Sequence, residues 1–225
     1  MSRFLALALI TALAAPAAAA PVATAPTAPT KPAAAKTEKN SAKAGPGIAS
    51  VKAANDLISG LLKQKAAPAS KEEKELAAKV TTGVRGFLDI DQLGKRAMVD
   101  NWSKLTKVQQ DQFQQLLRAL IEENYVRGLR ANLSYEVEYL SESTDKAGNV
   151  VVATKIKTVR KGRPYTIAVD YVLVKDGTKL RAWDVRTDGV GLVENYRTMF
   201  NKIIAKDGFD GLMAKMKKKQ AASGT

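Results

Sequence analysis

The apolar residues of this chain change their spacing near residue 133, and that change restricts the fold more than any other feature. Between residues 48 and 131 they recur every three or four positions, which predicts amphipathic helices. Between residues 133 and 188 they alternate with polar residues, which predicts strands. Helical spacing returns between residues 192 and 218. Helices, then strands, then helices predict an α+β domain with helices laid on one face of a sheet.

The alternating region divides into four segments joined by short polar turns. The turns fall at residues 145–149, 162–164 and 176–177 and are rich in Asp, Gly, Asn and Pro. Turns this short join antiparallel neighbours, so the sequence predicts a four-stranded antiparallel meander. One face of this meander carries charged side chains such as Glu138 and Lys157, which suits water and cross-strand ion pairs.

Two of the expected helices carry a start signal. Ser70 and Glu73, and later Thr106 and Gln109, have the spacing of a capping box, in which each side chain bonds the other residue's backbone. The remaining helices are defined by apolar spacing and by the breakers Pro68 and Gly208. They are expected before Pro68, over 91–102, over 192–205 and over 209–218.

The first 47 residues differ in composition from the rest of the chain. Residues 1–20 combine one early arginine, an apolar run and a stretch of small residues, which is typical of a secretory signal peptide. Residues 21–47 are mostly Ala, Pro, Thr and Lys and bury too little apolar surface to offset the entropy of ordering. We therefore expect a disordered tether there, a single domain over 48–225, and a periplasmic location.

Composition limits the chemistry of the protein. There is no cysteine and no histidine, so no disulfide holds the fold, and the commonest general base and transition-metal ligand are missing. The net charge of +14 lies to a large extent in the first 47 residues and in the lysines near the C-terminus. Because export is expected as well, nucleic acid is not an expected partner.

The segment from Leu180 to Phe200 carries a recognisable signature. It contains Trp-Asp-Val, then Gly-Val-Gly-Leu, then Asn-Tyr-Arg-Thr-Met-Phe. This closely resembles the C-terminal signature of the MlaC, or toluene-tolerance auxiliary, family, in which Tyr-Asp-Val, Gly-Val-Ser-Leu and Asn-Tyr-Arg-x-x-Phe follow one another. The similarity covers about residues 48–215, and Gly191 stands where the family usually has a serine.

The resemblance implies both a fold and a function. The implied fold is a nuclear-transport-factor-2-like sheet with an additional helical subdomain and an elongated apolar pocket. The implied function is periplasmic transport of phospholipid that maintains the lipid asymmetry of the outer membrane. The implied partners are an inner-membrane ABC transporter complex with an MCE-domain ring and an outer-membrane lipoprotein complex. Phospholipid would be cargo, and no cofactor or metal is expected.

The candidate lipid-binding residues combine the inward strand face with two facing helices. The sequence pattern of an apolar strand face under helices is the same whether the space between sheet and helices is filled by side chains or hollow. For each residue, a place in an ordinary packed core therefore remains the alternative to a place in a lipid pocket. Arg197 is a candidate for the headgroup phosphate, because guanidinium binds phosphate oxygens bidentately; a structural pair with Asp184 or Asp188 is the alternative. The ten candidates for the acyl chains are Phe113, Leu117, Val137, Ile156, Val169, Tyr171, Leu173, Tyr196, Phe200 and Ile203.

Two other functions fit the same pattern. An envelope adaptor would use the helices to bind proteins and would have a solid core. An isomerase-type enzyme on the same fold would need an Asp or Glu base and a Tyr donor in an apolar cavity. Asp170 alternates onto the polar face of the sheet, which argues against a buried base and against an enzyme.

Overall fold

The computed structural model describes residues 45–127, 135–160 and 163–222. The expected signal peptide, residues 21–44 of the expected tether and the predicted helix stop at 128–132 lie outside the described residues. The elements, in chain order, are α1 (Pro46–Leu62), α2 (Lys71–Phe87), α3 (Ile90–Ala97), α4 (Val99–Trp102), α5 (Lys107–Arg127), β1 (Tyr135–Thr144), β2 (Val150–Arg160), β3 (Arg163–Asp176), β4 (Lys179–Thr187), β5 (Val190–Gly191) and α6 (Leu192–Ala221).

The first helix begins two residues earlier than the predicted domain start at residue 48. Gly45 precedes the helix, and Gly47 is buried against β2. A Cβ atom at Gly47 would lie 2.6 Å from a methyl group of Val150, so only glycine allows this approach. The Ile48 N–H donates to Glu142 Oε2 at 2.9 Å. Residues 45–47, which composition assigned to the tether, are therefore part of the folded domain.

The predicted capping box forms in full at α5, whereas at α2 the glutamate side chain bonds the backbone of Ala69, one residue before the predicted partner Ser70. At α2 the Glu73 N–H donates to Ser70 Oγ at 3.1 Å, and Glu73 Oε2 accepts the Ala69 N–H at 2.7 Å. At α5 the Gln109 N–H donates to Thr106 Oγ1 at 3.3 Å, and Gln109 Oε1 accepts the Thr106 N–H at 2.9 Å. Each box satisfies backbone donors that a helix start otherwise leaves unpaired.

Two helix predictions need adjustment. The single helix expected over 91–102 is divided into α3 and α4 at Met98, whose φ of −99° and ψ of 12° depart from helical values while its side chain is fully buried. The two helices expected after residue 192 form the continuous element α6, with a kink at Gly208. Gly208 has φ 69° and ψ −179°, a conformation that favours glycine, and the axis changes direction there.

The sheet is antiparallel throughout, in the order β1-β2-β3-β4-β5. Within the described residues it has five strands, whereas the alternation predicted four. The fifth strand has only two residues, which is too short to show alternation, and it follows a tight turn at Asp188 (φ 48°) and Gly189 (φ 85°). A bulge at Trp183, opposite Val172 and Leu173, also interrupts the alternation of β4.

The core lies between one face of the sheet and the helices. On the other face, Lys157 and Glu138 form the expected cross-strand ion pair at 3.0 Å. Within the core, Phe113 of α5 meets Phe200 of α6 edge to face, with ring centroids 5.4 Å apart, and Tyr196 stacks on Phe200 at 5.3 Å. None of the helices in the described part of the chain is long and apolar enough to span a membrane.

Candidate functional site

A small cavity lies beneath α1, between that helix and the inward face of the sheet. We call it the inner cavity; its volume is about 50 Å³. Ligand pockets usually measure roughly 300–1,000 Å³, so in this conformation the inner cavity is much smaller than a lipid. Its lining consists of Ala54, Asn55, Ile58 and Leu62 of α1, Phe87 of α2, Tyr125 of α5, and Tyr135, Ile156, Val169, Tyr171 and Val185 of the sheet.

An apolar groove adjoins the inner cavity on the side of α2. Its volume is about 960 Å³, and Ala54 and Phe87 line both spaces. Leu57 lies at its surface and is 53 % exposed, although it is a large apolar side chain. Small residues on the facing helices keep the groove wide. The lining of this apolar groove is Pro46, Ala49, Ser50, Ala53, Ala54, Leu57, Leu61, Ala78, Lys79, Thr82, Gly83, Gly86, Phe87, Thr178, Lys179 and Leu180.

A polar recess adjoins the inner cavity on the side of β1. Its volume is about 320 Å³, and Asn55, Leu62 and Tyr135 line both spaces. Lys52 and Asp56, one helical turn apart, form an ion pair of 2.6 Å at its rim. Its other lining residues are Ser59 of α1, Lys63 directly after α1, and Val137 and Tyr139 of β1. The helix α1 thus separates an apolar space on one side from a polar space on the other and covers the inner cavity between them.

Three tyrosines, together with Asn55, give the inner cavity its few polar groups. Burial raises the pKa of Tyr125 and of Tyr171 far above the usual value, and burial also raises that of Tyr135. All three phenols are therefore neutral at physiological pH. The lining contains no Asp or Glu in the described residues, so the cavity offers no carboxylate base.

The structure brings part of the predicted lining together. Ile156, Val169 and Tyr171 line the inner cavity on adjacent strands, and Val137 lines the polar recess beside them. The sheet register explains this, because Val137 pairs with Ile156 and both point to the same face.

The other predicted residues lie in the packed core and line none of the three spaces. Phe113, Leu117, Leu173 and Phe200 have at most 1 % of their surface exposed, Tyr196 is also buried, and Ile203 is half-buried against the same cluster. At Leu117 the packing is close, since a Cβ atom built on Gly94 would lie 2.9 Å from its Cδ2. The structure therefore places the helical side chains of this set in a filled layer between α3, α5 and α6, and it places Leu173 in the packed core on β3.

Arg197 is exposed and lies away from the three spaces. Its guanidinium donates to the carbonyl oxygen of Arg96 at 3.3 Å. The alternative pairing with Asp184 or Asp188 is not formed either. Asp184 accepts the N–H groups of Val185 and Val193, and Asp188 accepts that of Ala168.

Sequence reasoning missed the contribution of α1, which supplies four lining residues. It predicted that residues of α5 and α6 cover the inward strand face. The signal in α1 is weaker: Ala53, Ala54 and Asn55 place small and polar side chains on a helix that otherwise has a regular apolar stripe. Small residues on a packed helix face leave space, and this could have indicated the cavity.

The C-terminal signature has a structural role at the start of α6. Asp184 is buried in β4, and its Oδ1 accepts the N–H groups of Val185 at 2.9 Å and of Val193 at 3.0 Å. Val193 is the second residue of α6, so this carboxylate satisfies a free donor at the helix start. A Cβ atom at Gly191 would lie 2.8 Å from Asp184 Oδ2, so the close approach of this carboxylate uses the glycine that stands here in place of the family's usual serine.

These residues fall within a known family. The sequence profile of the MlaC protein family matches residues 52–218, about three quarters of the chain. The chain belongs to the MlaC family. This confirms the resemblance inferred from the signature between Leu180 and Phe200. No curated protein matches the chain.

A solved structure supports the fold of this MlaC family member. The chain is similar to the phospholipid-binding protein from Ralstonia solanacearum, solved in complex with a phospholipid. The TM-score is 0.62 at 24 % identity, and the match covers 79 % of this chain and 98 % of the Ralstonia chain. The predicted α+β class, an antiparallel sheet packed against helices, is confirmed.

Proposed function

We propose that this protein binds the acyl chains of phospholipid beneath α1 and carries the lipid through the periplasm. The observation that carries the proposal is the inner cavity, which shares the lining residues Ala54 and Phe87 with the apolar groove. Membership of the MlaC family and the structural likeness to a phospholipid-binding protein support it. In this proposal the protein is a binding and transport protein, not an enzyme.

The energetics of lipid transfer require a large apolar space. Two chains of about 16 carbons, at about 0.8 kcal/mol per methylene, hold a phospholipid in the bilayer with roughly 25 kcal/mol. A carrier has to offer a comparable apolar surface. The inner cavity of about 50 Å³ is too small for this, whereas the adjoining apolar groove of about 960 Å³ has the capacity of a ligand pocket. We infer that α1 moves away from the sheet on loading, so that the two spaces merge.

The contacts of α1 suit such a movement. The hydrogen bonds that join it to the sheet in the described structure lie between Ile48 and Asn55. Beyond Asn55 its contacts to the inner cavity are made by Ile58 and Leu62, which are apolar and non-directional. Apolar contacts between α1 and the sheet can be exchanged for contacts with an acyl chain at little cost.

The proposal includes a place in the cell envelope. An outer-membrane lipoprotein complex and an inner-membrane ABC transporter complex with an MCE-domain ring would exchange lipid with this carrier and so maintain outer-membrane lipid asymmetry. Support comes from the secretory pattern of residues 1–20 and from membership of the MlaC family. The isomerase alternative loses support, because no carboxylate among the described residues lines the inner cavity.

Solvent extraction of the purified protein tests the proposal. The full chain is produced in a bacterial periplasm, purified without detergent and extracted with organic solvent, and the extract is analysed by mass spectrometry. We expect diacyl phospholipid at about one molecule per chain. An extract free of phospholipid, from protein that is folded by circular dichroism, would refute the carrier function and favour the adaptor.

A further inference from the structure

The polar recess differs chemically from the inner cavity and from the apolar groove, because side chains of both charge signs line it. Two ammonium groups, Lys52 and Lys63, one carboxylate, Asp56, and the hydroxyl of Tyr139 line it. It also meets the inner cavity at Asn55 and Leu62. These two residues are seven positions apart and lie on the same face of α1, so the border follows the helix for two turns.

The charges of the polar recess leave one positive charge unbalanced. Asp56 neutralises Lys52 in an ion pair of 2.6 Å. Lys63 follows directly on the C-terminus of α1 and, among the described residues, is not part of an ion pair. A phosphodiester group carries a single negative charge. Its oxygens accept hydrogen bonds from ammonium groups, and such charge-assisted bonds are stronger than neutral ones.

We propose that the polar recess binds the phosphodiester of a phospholipid headgroup, with the ammonium groups of Lys63 and Lys52 donating to its oxygens. This inference rests on the proposed function, since the acyl chains of the same lipid occupy the space beneath α1. The lipid then lies across α1, with its phosphate on the side of β1 and its chains directed toward α2. This assigns the headgroup to a different place from Arg197, which lines none of the three spaces.

The geometry of the border supports this orientation. Asn55 and Tyr135 contribute polar groups where the polar recess meets the inner cavity, and Leu62 contributes an apolar surface there. A glycerol ester region, which is intermediate in polarity between phosphate and acyl chain, fits such a border. The inner cavity beyond it has an apolar floor of Ile156 and Val169, both at most 2 % exposed.

A competition between two lipids with the same acyl chains tests the proposal. Delipidated protein is incubated with vesicles that contain phosphatidylglycerol and diacylglycerol in equal amounts, and the lipid that it takes up is measured by mass spectrometry. Wild-type protein should take phosphatidylglycerol in about tenfold excess, the ratio that about 1.4 kcal/mol provides. The variant Lys52→Gln/Lys63→Gln should lose most of this preference and should take diacylglycerol as wild type does.

A matched control removes two lysines elsewhere. Lys104→Gln/Lys107→Gln has the same change in net charge, and Lys107 forms an ion pair with Asp111 of 2.6 Å with the same spacing along a helix. The control variant should keep the preference of wild type. Equal loss of preference in both variants would overturn the proposal, because it would show a general effect of charge on vesicle contact.

The remaining outcomes separate this proposal from the proposed function. If wild type takes up both lipids in the vesicle ratio, lipid binding is established and the role of the polar recess is refuted. If it takes up neither, the proposed function fails as well.

Titration of delipidated protein with inorganic phosphate should give no measurable binding. Binding of inorganic phosphate that Lys52→Gln/Lys63→Gln abolishes would make the recess a site for free phosphate and would overturn the lipid assignment.

Discussion

Asn55 donates a hydrogen bond from Nδ2 to the hydroxyl of Tyr139 at 3.2 Å, and this bond joins α1 to β1 at the border between the polar recess and the inner cavity. It is the hydrogen bond between α1 and the sheet that lies farthest along α1 in the described structure. The part of α1 beyond Asn55 rests on apolar contacts. If α1 opens to admit lipid, the bond between Asn55 and Tyr139 has to break.

The first prediction concerns this bond. Tyr139→Phe removes the acceptor and should lower the free energy of unfolding by only about 0.5–1.5 kcal/mol, since the partner can be reached by water. The variant should take up phospholipid from vesicles faster than wild type, because one restraint on α1 is gone. Uptake is followed with a fluorescent phospholipid in a stopped-flow instrument.

A second variant controls for loss of a hydrogen bond as such. Asn101→Ala removes a bond of 2.7 Å between α4 and α6, on a part of the molecule that lines none of the three spaces. Its uptake rate should match that of wild type. If Tyr139→Phe loads at the rate of wild type too, opening of α1 at this point does not limit lipid entry.

The second prediction distinguishes hollow from filled parts of the core. Val169 lines the inner cavity, whereas Leu117 lies in the packed layer close to Gly94. Leu117→Trp should therefore lower the free energy of unfolding by about 1–3 kcal/mol or more, because the added ring meets occupied space. Val169→Trp should cost less than Leu117→Trp and should reduce the phospholipid recovered per chain. Urea unfolding and lipid extraction measure the two effects.

Lys155→Trp is the control for these substitutions, because Lys155 is exposed on the opposite face of the sheet. It should change neither stability nor bound lipid appreciably. Equal destabilisation by Trp at residues 117 and 169, with bound lipid unchanged in the folded fraction, would show that acyl chains do not enter beneath α1.

The architecture could be predicted from the sequence because local patterns encode it. The change of period from about 3.6 to 2 separates helices from strands, and the pairs Ser70–Glu73 and Thr106–Gln109 mark helix starts that the structure confirms. The strand β5 could not be predicted, since two residues show no period. The bulge at Trp183 also has no signal in the alternation, because it depends on pairing with β3.

The position of the cavity could not be predicted from the same patterns. Alternation shows which side chains face the helices and says nothing of the distance between the layers. Val169 and Leu173 lie on one strand and both face inward, yet only Val169 lines the inner cavity, while Leu173 is fully packed. The lining next to Val169 includes the small residue Ala54 of α1, a side chain from another element that the alternation along β3 does not encode.

The third prediction concerns the buried carboxylate at the start of α6. Asp184→Ala leaves the N–H groups of Val185 and Val193 without their acceptor in a buried place, which should cost about 1–3 kcal/mol of unfolding free energy. Asp184→Asn keeps an oxygen acceptor and should cost less. Asp210→Ala, an exposed change in α6, should have little effect in the same urea titration. A loss at Asp184→Asn as large as that at Asp184→Ala would show that the charge, and not the acceptor, stabilises the helix start.

The fourth prediction follows from the buried phenols of Tyr125 and Tyr171, whose pKa values burial raises far above the usual value of about 10. Below about pH 9 both phenols are protonated in the folded and in the unfolded chain. They therefore contribute no pH dependence to the free energy of unfolding in that range. Above about pH 10 the unfolded chain loses these protons while the folded chain retains them. Stability should therefore fall as pH rises, by up to about 1.4 kcal/mol per pH unit for each phenol.

The double variant Tyr125→Phe/Tyr171→Phe isolates this contribution from that of the lysines, which titrate in the same range. Urea unfolding between about pH 8 and pH 11 should give a shallower fall in stability for the variant than for wild type, with the difference confined to the region above pH 10. Tyr125 and Tyr171 both line the inner cavity, so the comparison also reports on access of water to that space. Equal slopes for the two proteins would mean that the phenols ionise while the chain stays folded, and hence that α1 already opens the inner cavity to solvent in the absence of lipid.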